Sequence, residues 1–524
     1  MSQDFARIRA ASKDLVHTIA IDRSNAQTTG HRHMLDRYFE QPFDQSASLQ
    51  HQIQERLIQA ILDGAVSPVD PLPSSRAFAT ALNVSRNTIS IVYERLHQDG
   101  FITAKPRRGY FIDENFVREK LNVAPPRRKI GTGTVPDLDR FLPHRFTALP
   151  NIDKRSDWRR FPYPFIYGQV GRDETSVARW RDCLRRAGTS RHVGTWADDL
   201  VDSDDPLLLE QISRRVLPQR GFRADADELL ITVGAQNAIW MIANLFLSPE
   251  REIHIEDPGY VDARNIFAAQ GARIVPVPVD RKGMKPDQNL AHADMVYLTP
   301  GHQSPTNITM PMERRLAMLQ AASDYDFLIL EDDYEHELNF VGAQHPTLKA
   351  LDGTGRVIHV GSLTKPLFPG IRLGFVAADR AVIHELRHLR RLMYRHPSAL
   401  AQRAMALFLS EGHYDAHIRR HRRSMADKWR EMLREIDRNL PDCEATMTTG
   451  GSGVWVSLPE GVEAAAVKAE AETRGVLVED GTPHYLRADA PRNRLRLGFG
   501  AIDLAKIAPG IAELKAAIAS VRGL

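Results

Sequence analysis

The sequence predicts a two-part protein. A small helical module closed by a two-stranded ribbon comes first, followed by a larger α/β domain with a largely parallel sheet. Three observations predict this. Apolar residues recur at helical spacing between Leu49 and Gly100 and are followed by two short strand-like runs around a basic turn. Further on, short apolar runs alternate with helical patterns, the order expected of a parallel sheet with crossover helices. Between the two, the stretch from Asp113 to about Pro164 is rich in proline and charge, with Pro125-Pro126 beside Arg127-Arg128-Lys129, as in an exposed linker. A chain of 524 residues is too long for one ordinary domain. The expected division is an extension at 1–45, to which no function is assigned, the small module at 46–113, a linker at 114–160 and the α/β part at 161–524. That last part is expected to have a large portion at about 205–400 and a small one at about 401–524.

Composition narrows the class. Hydrophobic content of 43% and charged content of 26% are those of a soluble globular protein. The longest apolar run, Ile239 to Leu247, is broken by Asn244 and is too short to span a bilayer, and the first residues lack the apolar core of a signal peptide. Two cysteines, Cys183 and Cys443, make neither a disulfide framework nor a zinc site, and no metal is expected. These features point to a cytoplasmic protein without membrane attachment. A net charge of +3 is uninformative at this length, so local charge carries the argument.

In the small module, Leu49, Ile53, Leu57 and Ile61 recur every four residues, with Ile58 and Leu62 widening the stripe, so an amphipathic helix ends near Gly64. Pro68, Pro71 and Pro73 form a stiff connector. Ser74 caps a second helix through Leu82, and Ser85 starts a third that carries Ile89, Val92, Tyr93 and Leu96 on one face and ends at Gly100. Phe101 to Ala104 and Tyr110 to Ile112 read as strands around Lys105-Pro106-Arg107-Arg108-Gly109. Three helices and a ribbon in this order make a winged helix-turn-helix. Ser85, Arg86, Asn87 and Thr88 occupy the start of the third helix, where a recognition helix reaches base edges, and arginine is shaped for guanine. Arg76 opens the second helix and suits a phosphate, and Arg107, Arg108 and Gly109 form the wing tip. Residues 46–112 hold seven Lys or Arg against five Asp or Glu, so affinity must come from placement. The competing reading is a helical module that binds protein.

The segments Leu72-Pro73-Ser74-Ser75-Arg76, Val84-Ser85-Arg86-Asn87-Thr88, Tyr93-Glu94-Arg95-Leu96 and Gly100-Phe101 resemble the winged-helix domain of GntR-family transcription regulators. The resemblance covers about 65 residues and implies double-stranded DNA as a partner, with Arg76, Arg86, Thr88 and Gly109 as contacts.

In the α/β part, Leu229 to Val233, Glu252 to Ile255, Arg273 to Val279, Met295 to Leu298, Phe327 to Leu330, Val357 to Val360 and Leu373 to Val376 read as strands. Asn237 to Phe246, Val261 to Ala269 and Glu313 to Ala322 read as helices. Gly361-Ser362-Leu363-Thr364-Lys365, with Arg372, lies between two of the strands. A lysine in such a turn, beside hydroxyls and a second cation, suits a pyridoxal phosphate aldehyde held as a Schiff base, with Ser362 and Arg372 on the phosphate. Taken alone, the pentapeptide fits a solvated loop lysine equally well. Three further features follow strands upstream. Gly234-Ala235-Gln236 opens a helix whose N-terminus favours a phosphate. Glu256-Asp257-Pro258-Gly259-Tyr260 places an aromatic ring for stacking on a pyridine, or in the core. Glu331-Asp332-Asp333-Tyr334 puts two acids after an apolar strand, costly unless paired. A pyridine nitrogen would pair one of them; a metal site or a solvated turn are the alternatives. Open α/β sheets bind ligands at this strand edge.

These segments, with Thr299-Pro300-Gly301-His302-Gln303-Ser304-Pro305-Thr306, resemble the fold type I aminotransferases, and most closely the aminotransferase-like domain of MocR regulators, from about Phe161 to the C-terminus. The resemblance implies that Lys365 forms the aldimine, Asp332 meets the pyridine nitrogen, Tyr334 meets the ring hydroxyl and Tyr260 stacks on the ring. Ala235, Gln236, Ser362 and Arg372 cradle the phosphate, and Arg496, in Arg496-Leu497-Gly498-Phe499, grips an effector carboxylate. It also implies a homodimer reading a repeated operator and sensing a small amino compound by aldimine exchange at Lys365. The alternative is an active aminotransferase with an accessory DNA-binding module. One departure stands out: Ser304-Pro305-Thr306-Asn307 replaces the common Asn-Pro-Thr-Gly. It removes the asparagine that normally bonds the ring hydroxyl and places Asn307 where the turn favours glycine, a substitution asparagine tolerates better than most residues.

Overall fold

The computed structural model describes residues 37–523 apart from 45–46, 117–136, 143–144, 153–154, 172, 200 and 202. Most of the N-terminal extension, and Pro125-Pro126 with Arg127-Arg128-Lys129, lie outside the described residues. The chain divides into two compact units, Met1–Phe141 and Leu142–Leu524. No helix among the described residues is long and apolar enough to cross a membrane.

The first unit contains α1 (Leu49–Leu62), α2 (Ser75–Ala81), α3 (Arg86–Gln98), β1 (Ile102–Lys105) and β2 (Gly109–Ile112). The predicted stripe on α1 is buried at Ile53, Leu57 and Ile61, but Leu49 and Leu62 are exposed at the helix ends and Ala60 takes the inner face instead. Ile89, Val92, Tyr93 and Leu96 of α3 face this core. Ser74 and Ser85 cap their helices, accepting hydrogen bonds from the Ala77 and Thr88 amides at 3.1 and 3.0 Å. The proline-rich connector is fixed at two points: the Tyr93 hydroxyl donates to Pro73 O at 2.7 Å, and the Leu72 amide donates to Tyr110 O at 2.7 Å.

The second unit is built on an eight-stranded sheet. Its strands are β3 (Leu229–Thr232), β4 (Glu252–Asp257), β5 (Arg273–Asp280), β6 (Gly283–Met284), β7 (Met295–Leu298), β8 (Leu328–Asp333), β9 (Val357–Ser362) and β10 (Gly374–Ala377). Their spatial order is β3-β10-β9-β8-β7-β4-β5-β6. The run β9-β8-β7-β4-β5 is parallel. β10 joins β9 antiparallel, β3 pairs antiparallel with β10 and so runs in the same direction as the parallel strands, and β6 joins β5 antiparallel. Both faces are covered. Leu230, Val360 and Val376 pack with one set of helices, while Leu229, Ile231 and Phe375 pack with another, which is why these strands read as unbroken apolar runs. A smaller antiparallel sheet, β11 (Glu444–Ala445), β12 (Gly453–Ser457), β13 (Glu479–Asp480) and β14 (Arg494–Gly498) in the order β11-β12-β14-β13, packs with the helices His413–Asn439 and Leu504–Arg522.

Several strands run further than the sequence predicts, and for two of them, β8 and β9, the extension shapes the site. β8 extends past Leu330 through Asp333 because β9 goes on pairing with it, Val360 with Asp332 and Gly361 with Asp333. β9 extends through Ser362 because it pairs with β10 as far as Gly374. The acids therefore lie in a strand, and the lysine turn begins only after Ser362. Glycine is required at this corner. A Cβ on Gly361 would run into the Phe375 ring, and one on Gly374 would lie 2.9 Å from the Gly234 and Gly361 backbones and 3.0 Å from Ala235 N. These glycines let β9 and β10 approach the helix that starts at Gly234. Replacing Gly374 with alanine should cost about 1–3 kcal/mol by overpacking, read as a lowered denaturation midpoint at unchanged denaturant slope.

Candidate cofactor site and nucleic-acid interface

On the first unit, Arg76, Ser85, Arg86 and Asn87 are exposed, and Thr88 is half-buried. The Ser85 and Thr88 hydroxyls lie 2.8 Å apart in the cap of α3, so their first task is to start the helix, which leaves Arg86 and Asn87 as its outward-facing leading residues. Arg107 and Arg108 project from the ribbon tip, where Arg107 and Gly109 both adopt positive φ, 60° and 100°. Lys105, the third cation of the wing, is paired with Glu114 at 3.0 Å.

On the second unit, the carboxyl edges of β3, β4, β8 and β9 meet around a cavity of about 160 Å³ whose wall includes Gln236, Tyr260, Asp332, Tyr334, Lys365 and Arg372. A helix (Gly234–Phe246) opens onto it, presenting the amides of Ala235 and Gln236. Arg372, itself at φ 59°, lies so close over Gly234 that a Cβ there would be 3.1 Å from its guanidinium. Ser362 completes this end; its hydroxyl accepts the Lys365 amide at 3.2 Å. The Gln236 side chain is exposed and turns to Asp262 at 3.4 Å, so its amide rather than its carboxamide faces the cavity end. Tyr260 is half-buried and also donates to Asp262, at 3.1 Å.

The alternation of β8 separates its acids. Glu331 and Asp333 point to the far face, where both find polar partners. Glu331 accepts from the Leu348 and Lys349 amides and lies 3.0 Å from His359, and Asp333 lies 3.0 Å from Arg220 and 3.1 Å from His336. Burial works against the Asp333 charge, but His336 and Arg220 hold its carboxyl well below the usual range. Asp332 points into the cavity and has no cation. It accepts one hydrogen bond, from the Tyr297 hydroxyl at 2.8 Å, and its other oxygen is buried without a hydrogen-bond partner. Burial pushes it up to about 7; the Tyr297 bond opposes this, and Asp333 and Glu331 add to it. Burial likewise pushes Glu256 up to about 7, against hydrogen bonds from Thr299 and Gln303.

Other buried polar atoms near the cavity lack hydrogen-bond partners: the Tyr334 hydroxyl, the Ser304 hydroxyl, and Nε and Nη2 of Arg496. A lone strand arginine such as Arg496 is usually a surface residue. It is instead only 1% exposed, with its guanidinium 3.5 Å from the Tyr167 ring centroid. Native interiors rarely leave buried polar atoms unpaired, and three of these, the Asp332 oxygen and the Tyr334 and Ser304 hydroxyls, belong to the wall of one cavity, where a polar ligand would complete them. Donors at one end, a carboxyl at the other, an amine at the side and an aromatic ring in the wall match a phosphorylated, nitrogen-containing aromatic aldehyde. Asn307, at φ 59°, keeps the left-handed turn that glycine would have made, and its carboxamide donates to Gly453 O at 2.6 Å.

Comparison with known proteins agrees. The model of bacterial regulatory proteins of the gntR family matches residues 49–112, and that of aminotransferase class I and II matches residues 197–514. The chain is 38% identical over 471 residues, 90% of its own length and 96% of the relative's, to the HTH-type transcriptional regulator TauR of Rhodobacter capsulatus. The chain belongs to the MocR-type transcription regulators of the GntR family. A second such regulator, the probable rhizopine catabolism regulatory protein MocR of Rhizobium meliloti, is 27% identical over 90% of this chain and 94% of its own. Among solved structures, the α-aminoadipate aminotransferase LysN of Thermus thermophilus, complexed with N-(5'-phosphopyridoxyl)-L-leucine, matches at TM-score 0.64 and 27% identity over 71% of this chain and 96% of its own. A MocR-type regulator thus joins a DNA-binding helix-turn-helix to an aminotransferase fold, the fold class the sequence predicts.

Sequence reasoning missed Tyr167, Tyr297, Glu335 and Ser452. Tyr167 receives the Lys365 amine at its hydroxyl and lies 198 residues away, so no spacing announces it. Tyr297 is one apolar-strand residue among several until β7 pairs with β8. Only Glu335 carried a signal, as the fifth residue of the acidic run.

The buried Asp332 makes a pH prediction. Its folded pKa is raised, so the folded state holds a proton that the unfolded state has lost, and stability falls as pH rises from about 4 through 7. Asp332→Asn should therefore stabilise the cofactor-free protein at pH 8, by on the order of 4 kcal/mol at most, and the gain should shrink toward pH 4. Denaturant melts at several pH values check this.

Proposed function

We propose that this MocR-type regulator binds pyridoxal phosphate through Lys365 and senses a small amino compound that competes for the same position. The Asp332 oxygen and the Tyr334 and Ser304 hydroxyls, buried without hydrogen-bond partners in the wall of the cavity that also includes Lys365, carry this reading. Asp332 would hold the pyridine nitrogen protonated, and the pairing would relieve the cost of its burial. Tyr260 would cover a ring face, and the Tyr334 and Ser304 hydroxyls would be available to the ring oxygen. The Ala235 and Gln236 amides, Ser362 and Arg372 would hold the phosphate. When bound, the cofactor supplies a carbonyl carbon on which one amine exchanges for another.

The chain's own groups then define the effector. Lys365 yields its place to a primary amine, and Arg496, with two unpaired nitrogens, takes a carboxylate or an anion of similar shape. To act as a signal, the effector must favour one arrangement of the protein over another by its own contacts. DNA reading falls to Arg86 and Asn87 on α3, with Arg76, Arg107 and Arg108 on phosphates. A homodimer would present two such helices to a repeated operator.

A footprint on a DNA fragment carrying the operator, titrated with candidate amino acids and amines, tests the reading. Wild type should bind and respond. Lys365→Ala should bind DNA with near wild-type affinity and show no response, and a normal response by this variant would exclude sensing through Lys365. Arg86→Ala should weaken operator binding by roughly 10- to 100-fold, the worth of about 1–3 kcal/mol for a base contact, while cofactor absorbance stays unchanged.

A further inference from the structure

Lys365 is held from a second side that the cofactor reading does not use. Its Nζ lies 3.4 Å from Glu335 Oε1, at hydrogen-bonding reach of the Tyr167 hydroxyl, and 3.9 Å from the centroid of the Tyr334 ring. Glu335 follows directly on the Asp332–Tyr334 run and is 6% exposed. Both its oxygens are taken by one residue of the small-sheet lobe: the Ser452 hydroxyl donates to Oε1 at 2.6 Å and the Ser452 amide donates to Oε2 at 3.1 Å. The backbone enforces the clasp. The Gly451 amide donates to Leu338 O at 2.9 Å, and a Cβ on Gly450 would collide with that same carbonyl. Beside Glu335 and Lys365 is a void of about 20 Å³, the room of a single water.

We propose that Glu335, clasped by Ser452, is a positioning residue for Lys365: it holds the ε-amino group as an ammonium whenever that group is not bonded to the cofactor. The inference rests on the reading of Lys365 as the cofactor lysine. Exchange breaks one carbon–nitrogen double bond to Lys365 and makes one to the effector, so an effector that enters as an ammonium leaves an ammonium on Lys365. That charge needs a carboxylate in a buried pocket, and Glu335 lies within ion-pair distance of it. Arg496 is a cation. His421, at the void, is driven down to about 4 by burial and stays neutral. Burial keeps the Tyr334 hydroxyl protonated, Glu337 is committed to Arg220 at 3.0 Å, and Asp332 and Arg372 line the cofactor cavity. Burial pushes Glu335 itself up to about 7, against Ser452 and Arg496, so its proton is exchangeable near neutral pH and a cation beside it favours the carboxylate. Because Ser452 belongs to the other lobe, the same carboxylate joins the state of Lys365 to the contact between the two lobes.

The test uses cofactor-free full-length protein. Lys365 is labelled competitively with acetic anhydride from pH 6 to 10, and its peptide is quantified by mass spectrometry. Glu335→Gln, which removes the charge at constant shape, should move the labelling midpoint down by about one pH unit, a roughly tenfold faster reaction at any pH below both midpoints. Glu335→Asp should fall between Gln and wild type, and Ser452→Ala should shift the midpoint in the same direction by less. Coincident profiles for wild type and Glu335→Gln, with equal melting temperatures, would overturn the proposal. If Glu335→Gln fails to fold, Ser452→Ala decides in the same way. Cofactor absorbance is measured separately: a wild type that takes up no cofactor would overturn the reading of Lys365 while leaving the Glu335 profile intact.

Discussion

Burying a carboxyl group in an apolar sheet without a cation costs free energy, and the second unit does so at Asp332. The rest of the site follows from how that cost is managed. Strand alternation sends Glu331 and Asp333 to the far face, where Arg220, His336 and His359 lie against them. Asp332 alone faces the cavity with only the Tyr297 hydroxyl. A protein under selection for stability alone would have paired it or replaced it. Its retention, with the Tyr334 and Ser304 hydroxyls and two of the Arg496 nitrogens also lacking hydrogen bonds, would be accounted for by a ligand that brings a protonated ring nitrogen and an anionic group.

The geometry that makes this possible is set by small residues. Gly361 and Gly374 let two strands and the Gly234 helix come together closely enough for Ser362, Arg372 and the first helical amides to share one end of the cavity. In the first unit, capping plays the corresponding part: Ser85 spends its side chain on starting α3, and Arg86 and Asn87 are thereby aimed outward. With so small a local excess of cations, orientation rather than bulk charge has to govern DNA affinity.

Much of this was legible in the sequence because it is local. Serines before apolar periodicity place α2 and α3, continuous apolar runs place the central strands, and Lys365, between two of them, falls at the cavity. What was not legible depends on pairing between distant segments. β8 carries its acids inside the sheet because β9 keeps pairing beyond Leu330. Leu62 fits the α1 stripe by spacing, yet Ala60 is buried in its place. Arg496 looks like a surface residue until β14 is placed between β12 and β13 with the Tyr167 ring against it. Tyr167, Tyr297 and Ser452 act on residues 35 to 198 positions away, and no periodicity encodes such contacts.

The central claim is that the amine of Lys365 is the point at which a cofactor is covalently held. Incubating the full-length protein with pyridoxal phosphate, reducing it with borohydride and mapping its peptides tests that claim directly. The account predicts a phosphopyridoxyl adduct on the peptide containing Lys365, formed at one equivalent per chain and absent from Lys365→Ala. An unmodified Lys365 peptide from protein saturated with the cofactor would contradict it.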